Sequence, residues 1–156
     1  MTPEQSKAWQ AFCRETGHQG DPVYAGPFGD GPELADTLVN LILADQKTAT
    51  CSRKAWYEAQ GEPLPAAGDL CLLCDGSGVP RCVIETVSAQ IAPFSSGDAD
   101  FARAEGEGDL SFDWWREAHI DYFSREAARE GRTFDLDEPV IFEHSRRVWT
   151  CPTPVE

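Results

Sequence analysis

Hydrophobic positions first mark out a helix at the start of the chain. Trp9, Phe12 and Cys13 recur at helical spacing behind Thr2-Pro3-Glu4. That triplet supplies a capping hydroxyl, a proline for the first helical position and an acid for the first turn, and Gly17 stops the run. This predicts a helix within residues 1–20 that packs on one larger domain over 21–156. Residues 21–32 are rich in Gly and Pro and read as a loop with a short strand at Val23-Tyr24-Ala25. Pro32-Glu33 opens a second helix whose apolar stripe is Leu34, Leu38, Leu41 and Ile42, carrying the chain to Lys47. A short helix from Arg53 to Gln60 presents Trp56 and Tyr57, and Pro63 and Pro65 make the next stretch a loop. Leu70–Cys74 and Pro80–Ser88 read as strands joined by the turn Asp75-Gly76-Ser77-Gly78. Val83, Glu85 and Val87 share one face, Ile84 and Thr86 the other. A short helix holding Phe101 and Glu105 breaks at Gly106-Glu107-Gly108. Ser111-Phe112-Asp113 caps a longer helix to Glu130, which Gly131 ends. Val140–His144 and Arg147–Trp149 form the last strand region. Periodicity alone gives the class α+β.

Composition narrows the function. The chain has 156 residues, within the size of one domain. Its formal net charge is −14, from 27 acidic and 13 basic residues. Such a charge repels phosphate backbones at long range and disfavours nucleic-acid binding by a broad basic face, leaving room for a small, locally positive pocket. No apolar run is long enough to span a bilayer, and Met1–Gly20 lacks an apolar signal core, so no membrane partner and a cytoplasmic location are expected. Among the six cysteines, Cys71 and Cys74 have zinc-ligand spacing, but no second pair and no nearby histidine complete a site. Leu70–Asp75 reads as a buried strand in which cysteine acts as a small apolar residue. No metal and no cofactor are expected, and the oligomeric state is left open.

Candidate chemistry gathers in two places. In Lys47-Thr48-Ala49-Thr50 an amine and hydroxyls meet at a helix-to-strand corner. This arrangement suits a base with a nucleophile or a grip on an anion; a solvated lysine beside strand threonines is the plain alternative. On the long helix, Trp115, His119, Tyr122 and Phe123 recur at spacings of four, three and one. They form either a core stripe or, with Arg116 beside His119 and with Ser124, a surface that holds an anion and stacks a base. His144, Arg146 and Arg147 form a small basic group at a strand end.

From Phe28 to Trp149 the chain resembles the ASCH-domain family, in its longer bacterial form. The family pattern Gly-x-Lys-x-x-Thr-x-Arg is matched by Asp45-Gln46-Lys47-Thr48-Ala49-Thr50-Cys51-Ser52. The later acid is matched by Ala102-Arg103-Ala104-Glu105-Gly106. Phe28-Gly29-Asp30, Glu105-Gly106-Glu107-Gly108-Asp109 and Trp115-Arg116-x-x-His119 running into Phe123 extend the likeness. Two positions depart from the pattern: Asp45 stands for the glycine and Ser52 for the arginine, with Arg53 one place along on the opposite strand face.

The resemblance implies an α+β fold, a small PUA-like β-barrel with flanking helices and a small cleft. It implies RNA-linked work: a hydrolase (ribonuclease or nucleoside amidohydrolase) acting on single-stranded RNA or an acylated cytidine nucleoside, or else a non-catalytic RNA-binding or coactivator-like module. The implied catalytic residues are Lys47, Thr50 and Glu105. The implied substrate-binding residues are Arg53, Trp115, Arg116, His119, Tyr122 and Ser124.

Overall fold

The computed structural model describes residues 1–152. Its elements in chain order are α1 (Pro3–Thr16), β1 (Tyr24–Pro27), α2 (Pro32–Leu43), β2 (Ala49–Arg53), α3 (Lys54–Gln60), β3 (Leu70–Cys74), β4 (Pro80–Pro93), α4 (Ala99–Glu105), α5 (Phe112–Arg129) and β5 (Pro139–Thr150), with a 3-10 turn at Phe94–Ser96. Among the described residues the strands hydrogen-bond in the order β1-β3-β4-β5-β2. β1 runs parallel to β3, while β3–β4 and β2–β5 are antiparallel. The chain divides into two compact units, one of residues 1–46, 68–86 and 146 onward, the other of residues 47–67 and 87–145.

In the first unit α1 begins where its sequence dictates. Thr2 Oγ1 accepts from the Gln5 amide at 3.1 Å, and the Gln5 side chain accepts from the Thr2 amide at 2.9 Å. Trp9 and Phe12 cluster with Leu72 and Val83, while Val39 and Ile42 of α2 cluster with Leu73, Cys82 and Ile84. Both faces of the β3–β4 ribbon are therefore covered, which is why Val83 and Ile84 are both buried although they alternate. The buried face of α2 is Ala35, Leu38, Val39 and Ile42. This corrects the expected stripe: Leu34 is 37% exposed, and the small Ala35 takes the core position beside it. The last strand region carries the expected basic residues as an exposed end, but its arginines are paired, Arg146 with Glu85 at 3.1 Å and Arg147 with Asp45 at 2.9 Å.

In the second unit β2 alternates buried Ala49, Cys51 and Arg53 with half-buried Thr50 and Ser52. It pairs with β5 from Ala49↔His144 to Arg53↔Val140. The core is aromatic: Phe94, Phe101, Trp115, Phe123 and Phe142, with Val140. Asp98 caps α4 by accepting from the Phe101 amide at 2.8 Å, and Ser111 caps α5 by accepting from the Trp114 amide at 3.1 Å.

The six cysteines are free thiols. Burial pushes the Cys82 thiol up to about 12, so it behaves as an apolar filler. Among the described residues, no group of three or more His, Cys, Asp and Glu is arranged to hold a metal ion, and no helix is long and apolar enough to cross a membrane.

Candidate functional site

The corner before β2 places Lys47. The Thr48 amide donates to the Ala104 carbonyl at 2.7 Å, and the Ser145 amide donates to the Thr48 carbonyl at 3.0 Å, so the backbone is fixed on both sides of the lysine's strand entry. Lys47 is only 5% exposed. Its Nζ donates to Ala49 O at 2.7 Å, Glu107 Oε2 at 2.9 Å and Glu105 Oε1 at 3.1 Å. An ammonium has three hydrogens, and all three are engaged. Burial alone would lower the pKa of this amine, but Glu105 and Glu107 outweigh it and raise the value.

Glu105 ends α4, where the helix dipole disfavours a carboxylate. Its surroundings reverse that preference. Besides Lys47 on Oε1, its Oε2 accepts from Trp115 Nε1 at 2.6 Å and faces His119 Nε2 at 3.0 Å. Burial raises the carboxyl pKa, yet Lys47 and His119 together hold it down at about 2.

The other ring nitrogen of His119, Nδ1, lies 2.8 Å from the Trp115 carbonyl. Both ring nitrogens thus face acceptors, which requires a proton on each: His119 is an imidazolium. Burial opposes that charge, and the Glu105 carboxylate overrides it, so the pKa is raised. Glu107 completes the group. Its pKa is raised by burial and by the charge of Glu105, against the pull of Lys47. At 18% its side chain is far more open than that of Glu105 at 2%. Two cations and two anions therefore balance in one largely buried cluster. Such an arrangement adds little to stability over an apolar core and can move a proton between its members.

Two glycines flank Glu107. Gly106 (φ 71°) caps α4 in the left-handed region, and Gly108 (φ 61°) lies under the Trp114 indole, where a Cβ would come within 2.2 Å. They let the chain double back so that Glu107 meets Lys47.

Among the remaining residues singled out by sequence, Trp115 bonds to the cluster. Thr50 is half-buried on the face of β2 opposite Cys51, with no hydrogen bond from Lys47. Arg53 is fully buried; its Nε donates to Glu138 at 2.6 Å, and its Nη1 donates to Glu126 at 3.3 Å and to Glu130. The side chain is turned inward by the alternation of β2 and is encircled by acids, so its charge is compensated within the protein. Trp115 is 2% exposed and stacks on Phe94 (5.3 Å, 14°) and Phe112 (5.9 Å, 20°). It is a core indole whose polar edge reaches Glu105. Arg116 and Ser124 are exposed, and Tyr122 is half-buried under the Arg125 guanidinium at 5.8 Å. Sequence reasoning gave Glu107 no role, although an acid held between two glycines just after Glu105 was the available signal. It also missed Glu126, Glu130 and Glu138, whose positions in the chain carry no sign of Arg53.

An α+β domain whose strand-entry lysine is locked to two acids of a following helix and loop defines the class of protein. The ASCH domain family matches residues 24–148, and the chain belongs to it. The crystal structure of an ASCH domain from Lactobacillus crispatus JV V101 is similar at 32% identity and TM-score 0.87, over 96% of this chain and 96% of that one. A protein from Enterococcus faecalis V583 is similar at 30% identity and TM-score 0.88, over 96% of this chain and 91% of that one. A comparison with curated proteins gives no match. The fold is the PUA-like one of ASCH domains, as expected, and the family is related in general to RNA binding.

Proposed function

We propose that this ASCH domain hydrolyses the acyl group of an acylated cytidine nucleoside at the Lys47–Glu105–Glu107–His119 cluster. The observation that carries this reading is the cluster's internal charge balance. Lys47 is neutralised by two acids and Arg53 by three, so neither offers free positive charge to a phosphate backbone. A small uncharged substrate suits such a site better than a polyanion.

The chemistry follows from which group can exchange a proton. Lys47 remains an ammonium; when Glu107 takes up a proton, the Nζ–H bonded to it is released to the oxygen that gains charge as the acyl carbon is attacked. Glu107, the more open carboxylate with a raised pKa, takes the proton from the attacking oxygen and returns it to the exocyclic nitrogen. The carbon–nitrogen bond breaks, leaving free cytidine amine and a carboxylic acid, with one water consumed. The attacking oxygen is water or the Thr50 hydroxyl, and Thr50→Ala separates the two. Water attack leaves turnover in place, whereas attack by Thr50 abolishes it.

The test incubates the protein with N4-acetylcytidine and, separately, with a single-stranded RNA, and follows cytidine and RNA fragments by chromatography. Release of cytidine is expected, with a loss of about a hundredfold or more in Glu107→Gln. RNA cleavage without nucleoside turnover would replace this reading with a ribonuclease. RNA binding with no turnover of either would replace it with the binding module.

A further inference from the structure

We propose that a second pocket, in the unit of residues 47–67 and 87–145, binds a planar ring carrying one anionic group. The pocket has a volume of about 270 Å³ and is lined by Phe94, Ser95, Phe112, Trp115, Arg116 and Leu136. The four carbon-rich walls differ in access. Phe94 and Trp115 are each 2% exposed and form the floor, while half-buried Phe112 and 40%-exposed Leu136 stand at the sides. A flat apolar ring fits between side walls of this kind, with an aromatic edge beneath it.

Arg116 supplies the charge. It is exposed, and no carboxylate of the described residues pairs with it. Arg53, Arg103 and Arg125 of the same unit are each held by acids. Arg116 also sits near the N-terminal end of the 18-residue α5, whose backbone adds positive potential there. Asp137, next in sequence to Leu136, accepts the Ser95 hydroxyl at 2.9 Å. A guanidinium fork beside a ring-sized apolar slot recognises a carboxylate or phosphate attached to that ring. The volume lies just below the range of about 300–1,000 Å³ usual for drug-sized ligands, which limits the occupant to one ring system with a small substituent.

Two sources share this chemistry, an aryl phosphate and a free aromatic carboxylate. The site is separate from the proposed hydrolysis, but the two share Trp115, whose indole N–H holds Glu105 at 2.6 Å.

Calorimetric titration of the full chain tests the proposal, with phenyl phosphate, benzoate, phenol and inorganic phosphate as probes. At least one ring anion should saturate, with phenol and phosphate each about tenfold weaker or more, because each lacks half of the recognised group. Whichever ring anion saturates identifies the source. Arg116→Gln should weaken the ring anion about tenfold, while Arg129→Gln, at the far end of α5, should not. The side chain at position 116 is exposed, so the variant is expected to fold, which circular dichroism checks. Failure of both ring anions to saturate, equal binding of phenol or of phosphate, an unchanged Arg116→Gln or an equal loss in Arg129→Gln each overturns it. None of these outcomes bears on the acetylcytidine assay, so the two proposals fail separately.

Discussion

Replacing Lys47 by methionine keeps most of the side-chain volume and removes only the ammonium. Three acceptors then lose their donor: Ala49 O at 2.7 Å, Glu107 Oε2 at 2.9 Å and Glu105 Oε1 at 3.1 Å. Glu105 keeps Trp115 and His119, but Glu107 is left with an adjacent like charge. Removing one partner of a buried ion pair costs about 3–5 kcal/mol, because the other charge remains without compensation. Against a total stability of about 5–15 kcal/mol this brings the variant close to unfolding.

The sign of the pH dependence follows from the same groups. Without Lys47 the carboxyl pKa of Glu107 rises further above its unfolded value of about 4.3. A group with a raised folded pKa binds more protons folded than unfolded, so the variant regains stability as pH falls from 7 toward 5. Each unit of added separation contributes about 1.4 kcal/mol. In the native protein Glu105 is ionised in both states over that range, since its folded value of about 2 lies below the unfolded one, and contributes no slope. Urea unfolding followed by tryptophan emission at several pH values measures this directly. A loss under about 1 kcal/mol at neutral pH, or one that does not shrink on acidification, would refute the argument that the ammonium compensates both acids.

Other outcomes follow from the same geometry. His119, with its raised pKa, contributes stability that is fully present below the unfolded value of about 6.5 and is lost as pH rises through the folded value. Unfolding between pH 6 and 9 should show that decline, and His119→Gln should remove it. A double-mutant cycle of Glu105→Gln with Lys47→Met should give a coupling energy of about 1 kcal/mol or more, whereas strictly additive losses would mean the two side chains act independently. If single-stranded RNA binds at all, the salt dependence of its affinity should correspond to about two or three phosphates, and a slope for six or more would contradict the enclosure of the cations.

Local signals were readable in the sequence because their causes are local. Thr2 with Gln5, Ser111 with Trp114 and the glycine stops act over a few residues, and the element ends follow them. The strand β4 ran past its expected end at Ser88 to Pro93: Val87, Ala89 and Ile91 continue the alternation, but Val87 and Ile91 are exposed, so no buried face marks the extension. At the site, Lys47 and Glu105 were legible through the family pattern, but what surrounds them was not. Arg53 shows the reason. Its acids lie 73 to 85 residues along the chain, so its charge read as available when it is enclosed. Trp115 read either as part of a core stripe or as a stacking surface, and the packing of Phe94 and Phe112 on it favours the core. Asp45 read as a departure from the family's glycine, yet the backbone there has φ 58°. Aspartate is among the few residues that enter this left-handed region readily, and here its carboxylate also meets Arg147 at 2.9 and 3.1 Å.

The pair of glycines around Glu107 has a consequence for inherited variation. Gly108 leaves no room for a Cβ under Trp114. A missense change at that position would leave every acid, base and aromatic of the cluster intact in the sequence. It would still strain the loop that carries Glu107, because φ is 61° there and either the loop or the 37%-exposed Trp114 must move to admit the Cβ. A survey of substitutions scored by chemical similarity would pass over this glycine, although its backbone conformation disfavours any side chain.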